Sequence, residues 1–415
     1  MAQQRVSEVE SSYAWFRLIA AVLIGIIGGV GMWSIVVIMP VVQAEFGIDR
    51  ADASLPYTMM MIGLLFGAVV MGRLADRHGI FVPLVIGASA IALGYVLSAF
   101  AGGIISFTIA YGLLIGMMGG SAMFAPLIAD TSLWFTRHRG LAIGLCASGN
   151  YFSGTLWPPV IEHFVAAEGW RATHIGIGLF CIATILPLAL ALRRRPPVQD
   201  FAAGTSGGMQ PGGGDPARPL GLPINLVQAL LMIAGLSCCV AMSMPQVHIV
   251  AYCVDLGYGP ARGAEMLSLM LAFGIVSRLA SGWILDRIGG LATLLLGSVL
   301  QAIALAFYIP FDGLASLYII SAMFGLVQGG IVPSYAFIVR ELFPASQAGL
   351  RISLAISATL GGMALGGWVS GAIFDATGSY QAAMMNGVAW NIVNAVIAAW
   401  LLTRQMRLRP AARAS

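Results

Sequence analysis

Lysine is absent from this 415-residue chain, and charged residues of every kind make up only 9% of it. A soluble protein of this length needs far more charge to cover its surface. With 59% hydrophobic residues and a mean hydropathy of +0.89, the chain is predicted to lie in a lipid bilayer. All 21 basic residues are arginine, and they leave a net charge of +4.

Other absences exclude classes of enzyme. The sequence has no Walker phosphate-binding motif and no H-E-x-x-H motif. Its five histidines are scattered, and its five cysteines lie in apolar segments without the spacing of metal ligands. We therefore expect no enzymatic activity, no cofactor and no metal. The cysteines are interpreted as small buried hydrophobic residues.

Long apolar segments separated by polar breaks recur along the whole chain. Each is close to the ~20 residues that a helix needs to cross the hydrocarbon core of a bilayer. The pattern predicts an all-α integral membrane protein with twelve transmembrane helices, centred near residues 28, 63, 90, 117, 152, 181, 238, 272, 300, 327, 360 and 391.

The arginines are distributed unevenly over the breaks between these segments. With the N-terminus in the cytoplasm, 17 of the 21 arginines lie on the cytoplasmic side, including Arg193 to Arg195. Only Arg50, Arg171 and Arg262 lie outside, and Arg278 lies within a span. This bias predicts that both termini are cytoplasmic in the cell's inner (plasma) membrane. The basic C-terminal tail is then a topology signal, and we expect no nucleic-acid partner.

Two short segments about 210 residues apart share the pattern G-x-(I/L)-x-D-R-x-G. They occupy residues 72–79 and 282–289, each between two apolar segments. Further similarities before spans five and eleven, and before spans six and twelve, keep nearly the same offset. The repeat predicts two six-helix bundles with a path between them at mid-membrane depth. The predicted divisions are an N-terminal tail (1–12), a first bundle (13–195), a Gly/Pro/Ser-rich linker (196–221), a second bundle (222–403) and a basic tail (404–415).

Glycine pairs four residues apart recur in the spans, among them Gly63/Gly67, Gly140/Gly144 and Gly362/Gly366. Such pairs let helix backbones approach closely. Because the last two pairs lie in the repeat partners, spans five and eleven, they suggest interfaces between the bundles.

The duplicated hairpin, the twelve spans and the central loop resemble the major facilitator superfamily over essentially the whole chain. The run W-F-T-R-H-R-G-L-A at residues 134–142 resembles the segment that opens span five in monocarboxylate transporters and in bacterial relatives such as oxalate:formate antiporters. Arg278, eight residues before Asp286, occupies the place of the substrate-binding arginine of those families. The resemblance implies the major facilitator fold and transport of a small organic anion.

The chain departs from these families at two places. Animal monocarboxylate transporters carry an aspartate one turn before the arginine, where this chain has Gly274. Those transporters also use a lysine in span one, and oxalate antiporters use one in span eleven, where Ile356 or Ser357 stands here. One fixed cation favours a substrate with one carboxylate.

Arg278 is the strongest candidate for substrate binding on physical grounds as well. An ionised side chain inside a span costs about 2.5–3.5 kcal/mol or more, so such a residue faces a cavity or a partner. Both positions one turn away, 274 and 282, are glycine. A guanidinium can hold a carboxylate through two parallel hydrogen bonds. The alternative is a structural ion pair with an acid on another helix.

His248 follows Pro245 in span seven, where a proline permits a bend. Histidine titrates near neutral pH, so His248 is a candidate both for substrate binding and for carrying a coupled proton. A purely structural, hydrogen-bonded histidine is an equal alternative. The remaining candidate substrate-binding residues are Trp33, Phe124, Asn150, Tyr151, Gln328 and Tyr335. For each of the aromatic residues, packing in the core is the alternative. Gly329-Gly330 and Pro333 predict an interruption of span ten.

Eight charged residues near the cytoplasmic ends of the spans resemble the charge network of the superfamily. They are predicted to gate the inner side of the path rather than to bind substrate: Asp76, Arg77, Asp130, Arg139, Asp286, Arg287, Arg340 and Glu341. A solvated basic loop is the alternative, but it does not explain the duplication.

The sequence thus predicts a secondary active transporter of a small organic anion, most simply a monocarboxylate, that works by alternating access with proton symport. The alternatives are an organic-anion exchanger and a transporter-like ligand sensor. A sensor needs an output domain, for which neither terminus is long enough. The expected partners are the anion, protons and the lipid bilayer, and the expected state is a monomer.

Overall fold

The computed structural model of the protein describes residues 9–195 and 219–411, so most of the predicted linker lies outside the described residues. Helices dominate the described chain. In order they are α1 (Ser12–Gly28), α2 (Val30–Phe46), α3 (Arg50–His78), α4 (Phe81–Ala99), α5 (Ile104–Ile109), a π-helical segment (Ala110–Gly120), α6 (Ala125–Ser132), α7 (Arg139–Glu168), α8 (Trp170–Ala191), a short 3₁₀ turn (Pro219–Gly221), α9 (Ile224–Asp255), α10 (Pro260–Ile288), α11 (Gly290–Phe307), α12 (Leu314–Gln328), α13 (Ile331–Leu342), α14 (Ala345–Thr377) and α15 (Tyr380–Ala411).

Eleven helical stretches in the described ranges are long and apolar enough to cross a membrane. Some combine two helices, as α1 and α2 do between Ser12 and Phe46. The predicted fifth span lies on α7, which has 30 residues but does not reach the same apolarity. Its glycines and polar residues, such as Asn150, lower its mean hydropathy. The predicted all-α membrane architecture is confirmed, and α7 is the one long helix of the described ranges without a segment apolar enough to be counted among the eleven stretches.

The helices form two compact units. Unit 1 comprises Met1–Asp200 with Ile249–Leu271, and unit 2 comprises Phe201–His248 with Ala272–Ser415. The predicted division into bundles at 13–195 and 222–403 stays a prediction. The end of α9 and the beginning of α10 belong to unit 1.

Two spans are interrupted by glycine. The first span breaks at Gly29, between α1 and α2, and span ten breaks at Gly329 and Gly330, between α12 and α13. The predicted interruption of span ten is confirmed. The glycines at the break are closely packed, since a Cβ atom on Gly330 would collide with the side chain of Ser281 on α10. These glycines thus let α10 lie directly against the break.

The π-helical segment packs tightly against α3 in unit 1. A Cβ atom on Gly63 would overlap the carbonyl oxygen of Gly112, and one on Gly67 would overlap that of Met117. The pair Gly362/Gly366 of α14 similarly contacts the backbone of α9, within unit 2. In contrast, the space around Gly140 and Gly144 of α7 is open among the described residues. Only some of the predicted glycine pairs therefore mediate close helix contacts, and the one on α14 does so within its own unit.

The Gly67→Ala substitution should destabilise unit 1 by about 1–3 kcal/mol, because the added methyl group has to displace a backbone carbonyl and not a flexible side chain. The apparent unfolding temperature of the purified protein in detergent measures this effect. Gly144→Ala is the matched control, since its methyl group enters open space and alanine favours the helix. Equal unfolding temperatures for the two variants would contradict the packing described for α3.

The last helix continues into the predicted basic tail. It ends at Ala411, so residues 404–411 of the predicted cytoplasmic tail (404–415) are helical. Residues 412–415 lie outside the described part of the chain. The helix continues because arginine, methionine and leucine are good helix formers and proline first occurs at position 410.

All five cysteines, at positions 146, 181, 238, 239 and 253, are buried and unbridged. Their interpretation as small buried hydrophobic residues is confirmed.

Candidate transport site

Arg278 lies half-buried on α10 in unit 2, opposite the break between α12 and α13. The Gly329 N–H group donates a hydrogen bond of 3.2 Å to Oγ of Ser277, the residue before Arg278. A Cβ atom on Gly329 would stand 2.8 Å from the backbone nitrogen of Arg278. The glycine break therefore fixes the backbone position from which the guanidinium extends.

Gln328 is brought to the same junction by the break. It is buried, and its Oε1 accepts a hydrogen bond of 2.6 Å from Nε2 of Gln246 on α9. Three helices thus meet around Gln328 and Arg278 within unit 2. Gln246 is absent from the candidates drawn from the sequence, although it lies two residues before His248.

Tyr335 lies in the core of unit 2. Its side chain is fully buried, and its hydroxyl donates a hydrogen bond of 3.0 Å to Oδ1 of Asn394 on α15. Nδ2 of Asn394 in turn donates to Oγ of Ser298 at 2.7 Å. This buried network favours the packing alternative for Tyr335, and a substrate role for it stays a prediction.

His248 is also fully buried in unit 2. Its Nε2 lies 2.8 Å from the carbonyl oxygen of Gly367 on α14, and its Nδ1 lies 3.3 Å from the hydroxyl of Tyr380. A neutral imidazole satisfies both contacts if Nε2 carries the proton and Nδ1 accepts one from tyrosine. The geometry accounts fully for a structural histidine, and the proton-coupling role stays a prediction.

In unit 1, three of the four candidate residues lie together. Nε1 of the buried Trp33 donates to the carbonyl oxygen of Asn150 at 3.3 Å, and the adjacent Tyr151 is nearly buried. The lack of a side chain at Gly154 lets the Trp33 ring approach α7. Phe124 lies apart at the break before α6 and is 45% exposed. Trp33 and α7 thus form one packed surface.

Among the predicted gate residues, Asp130 has a partner that the sequence analysis misses. Nη2 of Arg17 donates to its Oδ2 at 2.5 Å, and both side chains are buried. The guanidinium of Arg17 also lies 4.3 Å from the centroid of the Trp134 ring and donates to the carbonyl oxygen of Arg194. The sequence signal for this pair is Arg17 itself, because an arginine inside an apolar helix needs a partner.

The loop before α7, which carries the resemblance to monocarboxylate transporters, is held by the N-terminal segment. Oε1 of Glu10 accepts hydrogen bonds from the N–H groups of His138 at 2.7 Å and Thr136 at 3.1 Å. Oε2 lies 3.4 Å from Nδ1 of His138. The hydrogen bond from the His138 N–H is the largest contribution that holds the pKa of the Glu10 carboxyl below its ordinary value. The loop is therefore an attachment point for the chain before α1.

The other predicted gate residues lie near the ends of α3, α10 and α13. Asp76, Arg77, Asp286 and Arg340 are exposed. The guanidinium of Arg287 stacks over the Trp283 ring, and Oε1 of Glu341 accepts a hydrogen bond from Gln405 of α15 at 3.2 Å. The side chain of Arg139 lies outside the described parts. The gating role of this set stays a prediction.

One further ion pair escapes the sequence analysis. Nη2 of Arg50, at the start of α3, lies 3.1 Å from Oδ1 of Asp255, at the end of α9. Arg50 is only 7% exposed, and both residues belong to unit 1. They lie 205 residues apart and share no sequence motif, so the sequence gives no signal for the pair.

Comparison with known proteins agrees with this architecture. A family model described as Major Facilitator Superfamily matches residues 21–317 and 286–415. The chain belongs to the Major Facilitator Superfamily. It is therefore a membrane transporter and not an enzyme, which confirms the family, the fold and the absence of catalysis predicted from the sequence.

This superfamily member resembles several known proteins at low sequence identity. It is 27% identical over 329 residues to monocarboxylate transporter 13 of Bos taurus, covering 77% of this chain and 73% of that protein. The solved structure of a bacterial homologue of the human lysosomal transporter Spinster superposes with a TM-score of 0.72 at 15% identity, covering 96% and 98% of the two chains. The nucleoside transporter NupG superposes with a TM-score of 0.71 at 15% identity, covering 95% and 100%. The two structures support the fold alone.

Proposed function

We propose that this superfamily member is a secondary active transporter of a small organic monocarboxylate, with both termini in the cytoplasm of a cell whose plasma membrane it spans. The observation that carries the proposal is Arg278, a cationic side chain on the membrane helix α10. The glycine break between α12 and α13 packs against the backbone at this position. The similarity to monocarboxylate transporter 13 supports the same substrate class.

The charge of the site favours one carboxylate over two. The chain has no lysine that could supply a second fixed cation, and position 274, one turn before Arg278, is glycine. A dicarboxylate would bring a second negative charge into a low-dielectric region, where an uncompensated charge is costly. A single bidentate contact to Arg278 compensates one carboxylate.

Proton symport is the proposed energy source, and anion exchange is the second candidate. The observation that favours exchange is the complete hydrogen bonding of His248, whose two ring nitrogens contact Gly367 and Tyr380. Protonation of Nδ1 would require the Tyr380 hydroxyl to turn from donor to acceptor. If His248 carries the proton, its protonation is therefore coupled to a reorientation of the Tyr380 hydroxyl.

The predicted gate residues belong to the same proposal. Asp76 and Asp286, in the two duplicated hairpins, would stabilise a state that is closed on the cytoplasmic side by offsetting arginine charge and helix dipoles. Loss of either carboxylate would then shift the population towards the state open on that side.

Uptake of radiolabelled mono- and dicarboxylates into proteoliposomes tests the proposal. Monocarboxylates should accumulate when a pH gradient is imposed, and dicarboxylates should not. Counterflow without a gradient separates a transporter from a ligand sensor, because only a transporter exchanges internal for external substrate. Binding of a monocarboxylate without any counterflow would refute transport, and preferential uptake of dicarboxylates would refute the substrate class.

The His248→Gln variant tests the energy source. Glutamine keeps a hydrogen-bonding side chain but does not titrate, so uptake should lose its pH response between about pH 5 and 8. His174→Gln is the matched control, since His174 is a buried histidine of unit 1 that bonds Oγ of Ser98 at 2.8 Å. Proton-driven accumulation that persists in His248→Gln would place the coupling group elsewhere. A wild-type protein without any pH response would favour exchange.

A further inference from the structure

Two helices of unit 2 end in the same series of side chains, on the side predicted to be cytoplasmic. Each series contains two aliphatic residues, a tryptophan and an arginine, at intervals of three, four and four residues. On α10 the series is Val276, Leu279, Trp283 and Arg287, and on α15 it is Val393, Val396, Trp400 and Arg404.

Intervals of three and four residues place each series on one face of its helix. In both series the aliphatic side chains and the tryptophan are between 41% and 67% exposed. Each face is therefore an apolar stripe that ends in a tryptophan followed by a charge. We call these faces the α10 stripe and the α15 stripe.

The tryptophan and the arginine of each stripe are stacked. The guanidinium carbon lies 3.9 Å from the ring centroid in the Trp283–Arg287 pair and 4.7 Å in the Trp400–Arg404 pair. Tryptophan is enriched at the depth of the lipid headgroups. Stacking on the ring uses the face of the guanidinium. Its N–H groups lie in the guanidinium plane and can donate to other acceptors.

The α10 stripe is not simply inherited from the duplicated hairpin. In the first copy of the hairpin, the position that corresponds to Trp283 is occupied by Arg73. The arginine of the stripe does have a counterpart there, Arg77. Of the two hairpins, only the one on α10 carries the combination of tryptophan and arginine, and α15, a helix without the hairpin, carries it too.

The surroundings of the α15 stripe add positive charge. Arg407 lies one turn beyond Arg404 on the same side of the helix and is exposed. On another side of α15, Gln405 is hydrogen-bonded to Glu341 of α13, which fixes the helix end. Two arginines at a fixed position beside an apolar stripe complement an anionic group attached to a hydrocarbon chain.

We propose that the Trp283–Arg287 and Trp400–Arg404 pairs are binding sites for the phosphate group of an anionic phospholipid in the cytoplasmic leaflet. In each site, the guanidinium donates to the phosphate oxygens, the tryptophan lies at headgroup depth, and the aliphatic residues of the stripe contact the acyl chains. The proposal rests on the orientation given above and is independent of the transported substrate.

Native mass spectrometry of the full-length protein, titrated with phosphatidylglycerol or phosphatidylcholine in detergent, tests the proposal. Wild-type protein should retain phosphatidylglycerol more strongly than phosphatidylcholine. Arg404→Gln should weaken phosphatidylglycerol binding at the α15 stripe about fivefold, as expected for the loss of one arginine near an anionic headgroup, and Arg287→Gln/Arg404→Gln should weaken binding about fivefold at both stripes. Trp400→Leu should also weaken binding, because it removes the stacking partner but no charge.

Arg73→Gln is the matched control. It removes one arginine at the hairpin position that corresponds to Trp283. The residue four positions before Arg73, where each stripe has its tryptophan, is Val69. Its effect on phosphatidylglycerol binding should be less than about twofold. Wild-type affinity in Arg287→Gln/Arg404→Gln would overturn the proposal. Equal binding of the two lipids by the wild-type protein would overturn it as well, since the stripes would then be interfacial anchors that do not recognise phosphate charge.

Discussion

The Arg278→Lys variant should bind a monocarboxylate about ten- to a hundredfold more weakly than the wild-type protein, while unit 2 stays folded. Lysine keeps the charge but presents a point charge, which cannot reproduce two parallel N–H···O bonds to one carboxylate. Loss of one charge-assisted hydrogen bond corresponds to about 1.5–3 kcal/mol. The concentration dependence of uptake into proteoliposomes measures the effect.

A control on the same helix is available at Arg262, near the outer end of α10. Its Nη1 lies 2.9 Å from Oε2 of Glu265 in an exposed ion pair. Arg262→Lys should therefore transport like the wild-type protein, because lysine can replace arginine in a solvated pair. Wild-type affinity in Arg278→Ala would rule out Arg278 as the carboxylate-binding residue, whatever the lysine variant does.

The Asp130→Ala variant should destabilise unit 1 by about 3–5 kcal/mol, the cost of leaving a buried charge without its partner. The remaining Arg17 guanidinium would keep its stacking on Trp134 but would lose its carboxylate inside the fold. The apparent unfolding temperature in detergent, compared at matched protein concentration, measures the change.

A double variant separates the cost of an unpaired charge from other consequences of the mutation. Arg17→Met/Asp130→Leu removes both charges, fills the space with apolar side chains and should recover most of the lost stability. Glu265→Ala breaks an exposed pair and should cost less than about 1 kcal/mol. If Asp130→Ala were as mild as Glu265→Ala, the Arg17–Asp130 pair would not be the stabilising contact described here.

Much of the architecture could be predicted from the sequence because membrane helices have a strong local signal. The lengths of the apolar segments predicted the long helices, and two glycines predicted the break of span ten. At this break a Cβ atom on Gly330 would meet Ser281. The duplicated hairpin identified two related halves. The exception is α7, whose polar residues weaken the local signal although its position in the repeat predicts a span.

The ion pairs could not be predicted in the same way, because each joins residues that are distant in the chain. Arg17 meets Asp130 across 113 residues, and Arg50 meets Asp255 across 205. Hydropathy describes each of these residues only as a charge in or near an apolar segment. Their pairing depends on how the helices of unit 1 pack, which no single segment specifies.

The candidate site shows the same limit. The sequence correctly marks Arg278 as a charge within a span, but it cannot distinguish a residue that lines a path from one that packs in a core. Tyr335 was a candidate as a polar aromatic residue in span ten, and its bond to Asn394 comes from α15. For His248, both hydrogen-bond partners likewise belong to later helices.

The burial of the five cysteines has a practical consequence for spectroscopy. Thiol reagents react slowly with side chains that the fold shields, so the natural protein offers a low background for site-directed fluorophores and spin labels. A single new cysteine on an exposed helix end can then be labelled without first removing the natural ones. Since no lysine is present, amine-reactive dyes are restricted to the α-amino group. Two chemically orthogonal labels can therefore be attached to this chain with one mutation.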